Sequence, residues 1–273
     1  MKRVFIRWFG VGPYVRWVQP LSALYHSLFR SGDMREHGLR LACELLAEGD
    51  VVFDVGAHIG KFTSIAAKRV GREGRVVSFE PVGWSRAVLS RMVRLRGYQQ
   101  VRVVPAGVSD RSGAGLMSVP LTRDGRPEYM LSHIAKVRSE GDRVWEEQVE
   151  LITLDDYCEQ HAIRHVDFIK CDTEGHEGEV FRGATRLLEG AHPTIYCEIS
   201  ANFAERAGQR PDELFLLLRQ HGYQAYLADD TGQVFVPVAG FERDTDYLFI
   251  HENRIALTAK RIGLFTSREP SFA

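Results

Sequence analysis

The sequence predicts an α/β fold, a mostly parallel sheet with crossover helices, and three observations carry that reading. Short apolar runs at residues 51–55, 75–79 and 101–105 have the look of strands buried on both faces. Between them lie segments whose apolar residues recur at helical spacing. Gly71 and Gly97 close those segments, and Gly49 closes a further one ahead of the first run, as glycine does at helix ends. Strand, helix, strand, helix, strand is the pattern of a parallel sheet.

Each element follows in order. Residues 34–48 read as an opening helix, with Leu39, Ala42, Leu45 and Leu46 at helical spacing. Residues 61–70 and 84–96 read as crossover helices. Residues 110–115 and 122–127 are turn-rich and 132–142 are polar, so residues 120–148 are expected to be an insertion over the sheet's carboxyl edge, where ligand-covering loops lie. Regular structure resumes at 148–152. A short helix follows at 154–161, a fourth strand at 166–171, a helix at 176–188 and a fifth strand at 193–199. In residues 211–221, Pro211 suits a first helical turn and Leu214, Leu217 and Leu218 form a buried stripe. Residues 223–227 and 247–250 read as closing strands. The expected organisation is an N-terminal helical extension (1–49), one domain (50–255) and a C-terminal tail (256–273).

Composition narrows the function classes. The chain has 273 residues, 44% hydrophobic and 26% charged, which is ordinary for a globular domain with a sizeable core. Its net charge of −1 lacks the basic excess of a nucleic-acid binder. Cys43, Cys158, Cys171 and Cys197 form no CxxC pair, which fits a reducing, cytoplasmic setting. Lys2, Arg3, Arg7, Arg16 and Arg30 make the first thirty residues basic. The favoured reading there is a helix packed on the domain, with membrane contact as the lesser one. Trp8 and Trp17 are open to two readings, core or an interface between copies.

The chemistry concentrates at strand ends. Asp54-Val55-Gly56-Ala57-His58-Ile59-Gly60 closes the first strand and opens the first helix. Glycines there let the backbone turn tightly against a ligand, and the helix start offers free N–H groups. Glu80 follows Gly60 at about the twenty residues expected for a ribose-binding carboxylate. The GxGxxG dinucleotide fingerprint is one glycine short. The run fits instead an acidic residue followed by glycines at alternate places, with His58 in the middle glycine's position.

These segments resemble the FkbM family of methyltransferases. The likeness rests on VVFDVGAHIG (51–60), SFEP (78–81), ITLDDY (152–157) and DFIKCDTEGHE (167–177), in order and spacing. It covers roughly residues 36–200, and the family usually has Asn where His58 stands. The resemblance implies a Rossmann-like class I methyltransferase fold, with seven mostly parallel strands and helices on both faces, and S-adenosylmethionine as donor. It implies O-methylation of a hydroxyl on a sugar, glycoside, polyketide or related natural product, free or carrier-linked. By position it sets Asp54, Gly56, Ala57, His58 and Gly60 against the methionine end, Glu80 on the ribose, and Ser109 and Asp110 near the adenine.

An alcohol must lose a proton as it attacks, so a base or metal near the methyl group helps. Asp172 and His176, after the fourth strand, are the leading base candidates, and His133 in the insertion is the third. Glu174 and Glu198 are candidates for holding the acceptor. Asp172 and Glu198, with Glu174 and His176, are also candidate ligands for Mg²⁺ or a similar ion. Each has a plainer reading. Asp172 or Thr173 caps the next helix, Glu174 and Glu177 complement its dipole, and His176 sits on the surface. Two other functions stay open, an NAD-dependent oxidoreductase and a catalytically silent binding domain. The missing third glycine weighs against the first, and the retained Asp54, Glu80 and Asp172 against the second.

Overall fold

The computed structural model describes residues 37–122, 127–128, 132–134, 144–229 and 234–262. The basic N-terminal stretch, the segment 135–143 and the tail beyond 262 lie outside the described residues. So do most of the expected turn at 122–127 and most of the polar run 132–142.

In chain order the elements are α1 (His37–Cys43), β1 (Val51–Val55), α2 (Lys61–Val70), β2 (Arg75–Phe79), α3 (Gly83–Arg96), β3 (Val101–Val104), β4 (Ala106–Val108), β5 (Gly113–Pro120), β6 (His133–Ile134), β7 (Val144–Ile152), α4 (Leu154–Gln160) and β8 (Phe168–Cys171). Then come α5 (Glu177–Arg182), α6 (Thr185–Gly190), β9 (Thr194–Ile199), α7 (Ala201–Arg206), α8 (Pro211–Gln220), β10 (Tyr223–Ala228), β11 (Phe235–Val238), β12 (Thr245–His251) and α9 (Ile255–Ile262). No helix among the described residues is long and apolar enough to cross a membrane.

The main sheet has eight strands in the order β11-β10-β12-β9-β8-β1-β2-β3. From β9 to β3 every pairing is parallel. Strand β12 enters antiparallel between β9 and β10. This is the expected Rossmann-like methyltransferase architecture, with β11 added as an eighth, edge strand. One face buries Phe53, Phe79, Phe181 and Phe249, and the other Val52, Phe62, Phe168 and Leu248. Burial on both faces explains why the central runs read as unbroken apolar sequence.

Four local expectations are corrected. The opening helix ends at Cys43 rather than running to residue 48, although Leu45 and Leu46 stay buried in the turn that follows. The third strand breaks at Pro105, which has no N–H for the ladder; β3 stays in the main sheet and β4 moves to another. The expected loop insertion is that second, four-stranded sheet, ordered β4-β7-β5-β6. Its small apolar centre, including Val82, Met117, Val119 and Leu151, comes from segments far apart in sequence. The helix expected over 176–188 is two, α5 and α6, broken at Gly183. A side chain at Gly183 would meet the Ser109 carbonyl oxygen at 2.1 Å, so the backbones touch there.

Candidate active site

A cavity of about 320 Å³ opens at the carboxyl ends of β1, β2, β8 and β9, with β4 as a side wall. That is within the usual size range of small-ligand sites.

The β1 wall is rigid. Gly56 holds φ at 77°, and a Cβ there would lie 1.8 Å from the Asp172 carbonyl oxygen. Only glycine serves both needs. The N–H groups of Gly56 and Ala57 donate to the Phe79 carbonyl. His58 also has a left-handed backbone, with φ at 48°. That explains a glycine in the common pattern at this position. Asn and His are among the side chains that best tolerate the region. The His58 N–H donates to Glu80 Oε2 at 2.7 Å, and the Val82 N–H donates to Oε1 at 2.8 Å. Glu80 is thereby clamped at the end of β2. Burial pushes its pKa up to about 7, against the pull of these two N–H donors. Each oxygen keeps acceptor capacity toward the cavity.

Asp54 is fully buried. Its Oδ2 accepts from the Thr63 hydroxyl at 2.5 Å. Its Oδ1 has no hydrogen-bond partner among the described residues. Burial raises its pKa, opposed chiefly by the Lys170 charge. The His58 ring is half-buried, and its desolvation lowers its pKa to about 4 and keeps it neutral.

The opposite wall is a set of ionic side chains on one face of the sheet. Register pairs Asp54 with Lys170, Lys170 with Tyr196, and Glu198 with Asp246. Asp172 lies two residues beyond Lys170, so it shares that face. The Lys170 ammonium donates to Asp172 Oδ2 at 2.7 Å. Burial works against the Lys170 charge, but Asp172 and Asp54 more than offset it and hold the proton more firmly than usual. Glu174 takes a left-handed backbone at φ 55°. Burial, then the charges of Asp172 and Glu177, push its pKa up to about 8. Glu198, at the open rim, is raised first by the charge of Asp172. Lys170, Asp172, Glu174, Tyr196, Glu198 and Asp246 all line the cavity.

Asp54, Gly56, Ala57, His58, Glu80, Asp172, Glu174 and Glu198 therefore share one cavity, and Gly60 caps α2 beside it. Four expected residues do not join them. His176 is 5% exposed, with Nε2 at 2.9 Å from the Ser109 hydroxyl and Nδ1 at 3.5 Å from Glu179. It sits behind the wall rather than on it, as does Ser109. Asp110 is exposed and accepts from Ser109. The strand residues Ala106, Gly107 and Val108 line the cavity in place of Ser109 and Asp110, because the close contact at Gly183 pulls the following turn against α5. His133 lies between Ser132 and Ile134, which line the cavity. Neighbouring strand residues face opposite ways, so its ring points elsewhere. The metal reading also lacks support, since no group of three or more His, Cys, Asp or Glu side chains among the described residues is arranged to hold an ion. Asp172 is engaged by Lys170 instead.

On the β8–β9–β12 wall, Lys170, Tyr196 and Asp246 line the cavity without having been anticipated. Lys170 and Tyr196 each stand two places before a residue that was, Asp172 and Glu198, so strand periodicity could have found them. Asp246 had no such signal, because antiparallel pairing brings it from a distant segment.

A glycine turn at the end of β1 and a clamped carboxylate at the end of β2 make this a Rossmann-like domain with a small-molecule cleft at its strand ends. The methyltransferase FkbM domain model matches residues 54–225, well over half the chain, and the protein belongs to that family. The hexuronic acid methyltransferase AglP of Haloferax volcanii is 27% identical over 173 residues, 62% of this chain and 64% of that protein. The AMB antimetabolite synthetase AmbE of Pseudomonas aeruginosa is 27% identical over 208 residues, 66% of this chain and 10% of that protein. The match thus spans just under two thirds of the first relative and a small part of the second. The solved methyltransferase FkbM from Methylobacillus flagellatus KT aligns with a TM-score of 0.42 at 15% identity, over 88% of this chain and 60% of that one.

Proposed function

We propose that this protein transfers a methyl group from S-adenosylmethionine to a hydroxyl of a sugar-type or related acceptor. The observation that carries the reading is the pairing of Glu80, clamped by two backbone N–H groups, with the orphaned buried oxygen of Asp54 in one cavity. A ribose carries hydroxyl donors for Glu80, and the methionine ammonium suits Asp54 Oδ1. Ala106, Gly107 and Val108 offer an apolar slot for the adenine. The carboxylate-rich lining favours a cation, and the donor carries a sulfonium as well as an ammonium. When bound, S-adenosylmethionine supplies an electrophilic methyl group.

The remaining work falls to the chain's own residues. Asp172, Glu174 and Glu198 hold the acceptor hydroxyl in line with the methyl group, and such alignment supplies several kcal/mol of the barrier reduction. A carboxylate of this group takes the hydroxyl proton as the C–O bond forms. The Lys170 ammonium keeps Asp172 in place throughout. A sugar acceptor is supported by the hexuronic acid methyltransferase among the relatives.

Calorimetric titration with S-adenosylmethionine, S-adenosylhomocysteine and NAD tests the reading. Micromolar binding of the first two and none of NAD is expected. NAD binding alone would replace it with a dehydrogenase, and no binding of any would leave a silent domain.

A further inference from the structure

A second concavity lies at the other end of the main sheet. It has a volume of about 530 Å³ and is lined by Arg72, Arg75 and Arg102, with Gln99, Tyr157 and His161 among the remaining residues. No aspartate or glutamate lines it, in a chain whose acidic residues slightly outnumber its basic ones.

The topology explains how these side chains meet. Arg75 opens β2, and Arg102 in β3 pairs with Val77, two places further along β2. Both arginines therefore leave the same face of the sheet. Arg72 comes from the turn just before β2. Helix α4 covers this face only as far as Tyr157 and then ends at Gln160, leaving the amino ends of β2 and β3 open. None of the three guanidinium groups has a hydrogen bond or an ion pair among the described residues. Three like charges around one concavity repel each other unless an anion lies among them.

A second observation is independent of charge. Tyr157 is 2% exposed, and its ring packs edge-on against Phe53 and Phe79. His161 stacks on it at 4.1 Å. Yet its hydroxyl has no hydrogen-bond partner among the described residues. A buried tyrosine hydroxyl normally finds one, so this donor lacks an acceptor at the wall of an arginine-lined cavity.

We propose that this cavity binds a diphosphate-type oxyanion, held by the guanidinium groups of Arg72, Arg75 and Arg102 and by the Tyr157 hydroxyl. Arginine's planar fork suits such an anion, since it presents paired donors to two oxygens at once. The volume leaves room for a group attached to the diphosphate. The length of β2 separates this site from the methyl-transfer cavity by roughly 15 Å, so the two sites hold separate ligands. The proposal does not depend on the methyltransferase reading.

The test is calorimetric titration of the full-length protein with inorganic pyrophosphate at low salt, beside inorganic phosphate. Saturable one-to-one binding is expected, tighter for pyrophosphate. In the Arg75→Gln/Arg102→Gln double variant it should weaken at least about tenfold, with the thermal midpoint little changed. Tyr157→Phe, if folded, should weaken it several-fold. Absence of saturable binding, or undiminished binding in the double variant, would overturn the site. Cosedimentation with phosphatidylcholine vesicles containing a long-chain prenyl diphosphate tells the source. Binding that pyrophosphate displaces assigns a lipid headgroup, and binding of pyrophosphate without vesicle association assigns a free diphosphate.

Discussion

The two walls of the strand-end cavity are built on different principles. On the β1–β2 side the glycine turn and Glu80 are held by backbone, and Asp54 alone by a side chain, the Thr63 hydroxyl. Glu80 is clamped by two N–H groups, His58 is fixed by its left-handed turn, and Gly56 lies against the carbonyl of Asp172. On the β8–β9–β12 side the groups are side chains held by one another's charge, with Lys170 between Asp54 and Asp172 and with Glu198 beside Asp246. On the proposed function the first wall meets the invariant methyl donor and the second the acceptor. Backbone geometry is insensitive to most substitutions, whereas a charge network can be retuned by a single one.

Substitutions on the first wall should therefore damage fold and cofactor binding, and those on the second should damage turnover. Gly56→Ala has the largest expected effect. Its Cβ would overlap the Asp172 carbonyl and its φ of 77° would be strained, so a loss of about 3 kcal/mol is expected in urea unfolding, with no detectable cofactor binding. Wild-type stability in this variant would mean the two turns are not in rigid contact. Asp172→Asn comes next, with turnover down on the order of 100-fold and cofactor affinity nearly unchanged. Affinity falling in step with turnover would move Asp172 to the cofactor wall.

Glu80→Gln should weaken S-adenosylmethionine binding by about 2 kcal/mol while turnover at saturation changes little, because a charged acceptor becomes a neutral amide. Equal affinity by calorimetry would break the ribose assignment. The pH dependence is a milder form of the same test. Glu80 is raised from 4.5 to about 7 by burial, so the folded state binds its proton more tightly than the unfolded chain. Its contribution to stability is therefore lost as pH rises between those values. On the proposed ribose contact the ionised form is the better acceptor, so cofactor affinity should increase as pH rises through about 7. A flat affinity profile between pH 6 and 8 would show that Glu80 is already ionised. The smallest effect on activity is expected for His176→Ala, which should cost about 1 kcal/mol of stability through the lost Ser109 contact and leave turnover near wild type. A large loss of turnover in a stable variant would return His176 to the acceptor wall.

Most of the first wall was legible in the sequence, because it is local. Asp54, Gly56 and Gly60 lie within one strand–turn–helix, and Glu80 follows at a distance set by one crossover helix. The second wall was legible only in part. Asp172 and Glu198 end apolar runs and so announce themselves. Asp246 reaches Glu198 through an antiparallel pairing that no local pattern encodes.

The sequence alone thus determined the alternation of strands and helices in the central parallel sheet, the glycine turn and the carboxylates at strand ends. These depend on residue periodicity and on backbone conformations that few residues tolerate. Only the tertiary structure decided which candidates face the cavity. It turned His133 away by strand alternation, drew Ser109 and His176 behind the wall through the contact at Gly183, and brought Lys170, Tyr196 and Asp246 to the front. Those outcomes depend on register and on close packing between distant segments. It also broke the third strand at Pro105 and made the insertion a second sheet, whose small core is assembled from residues far apart in the chain.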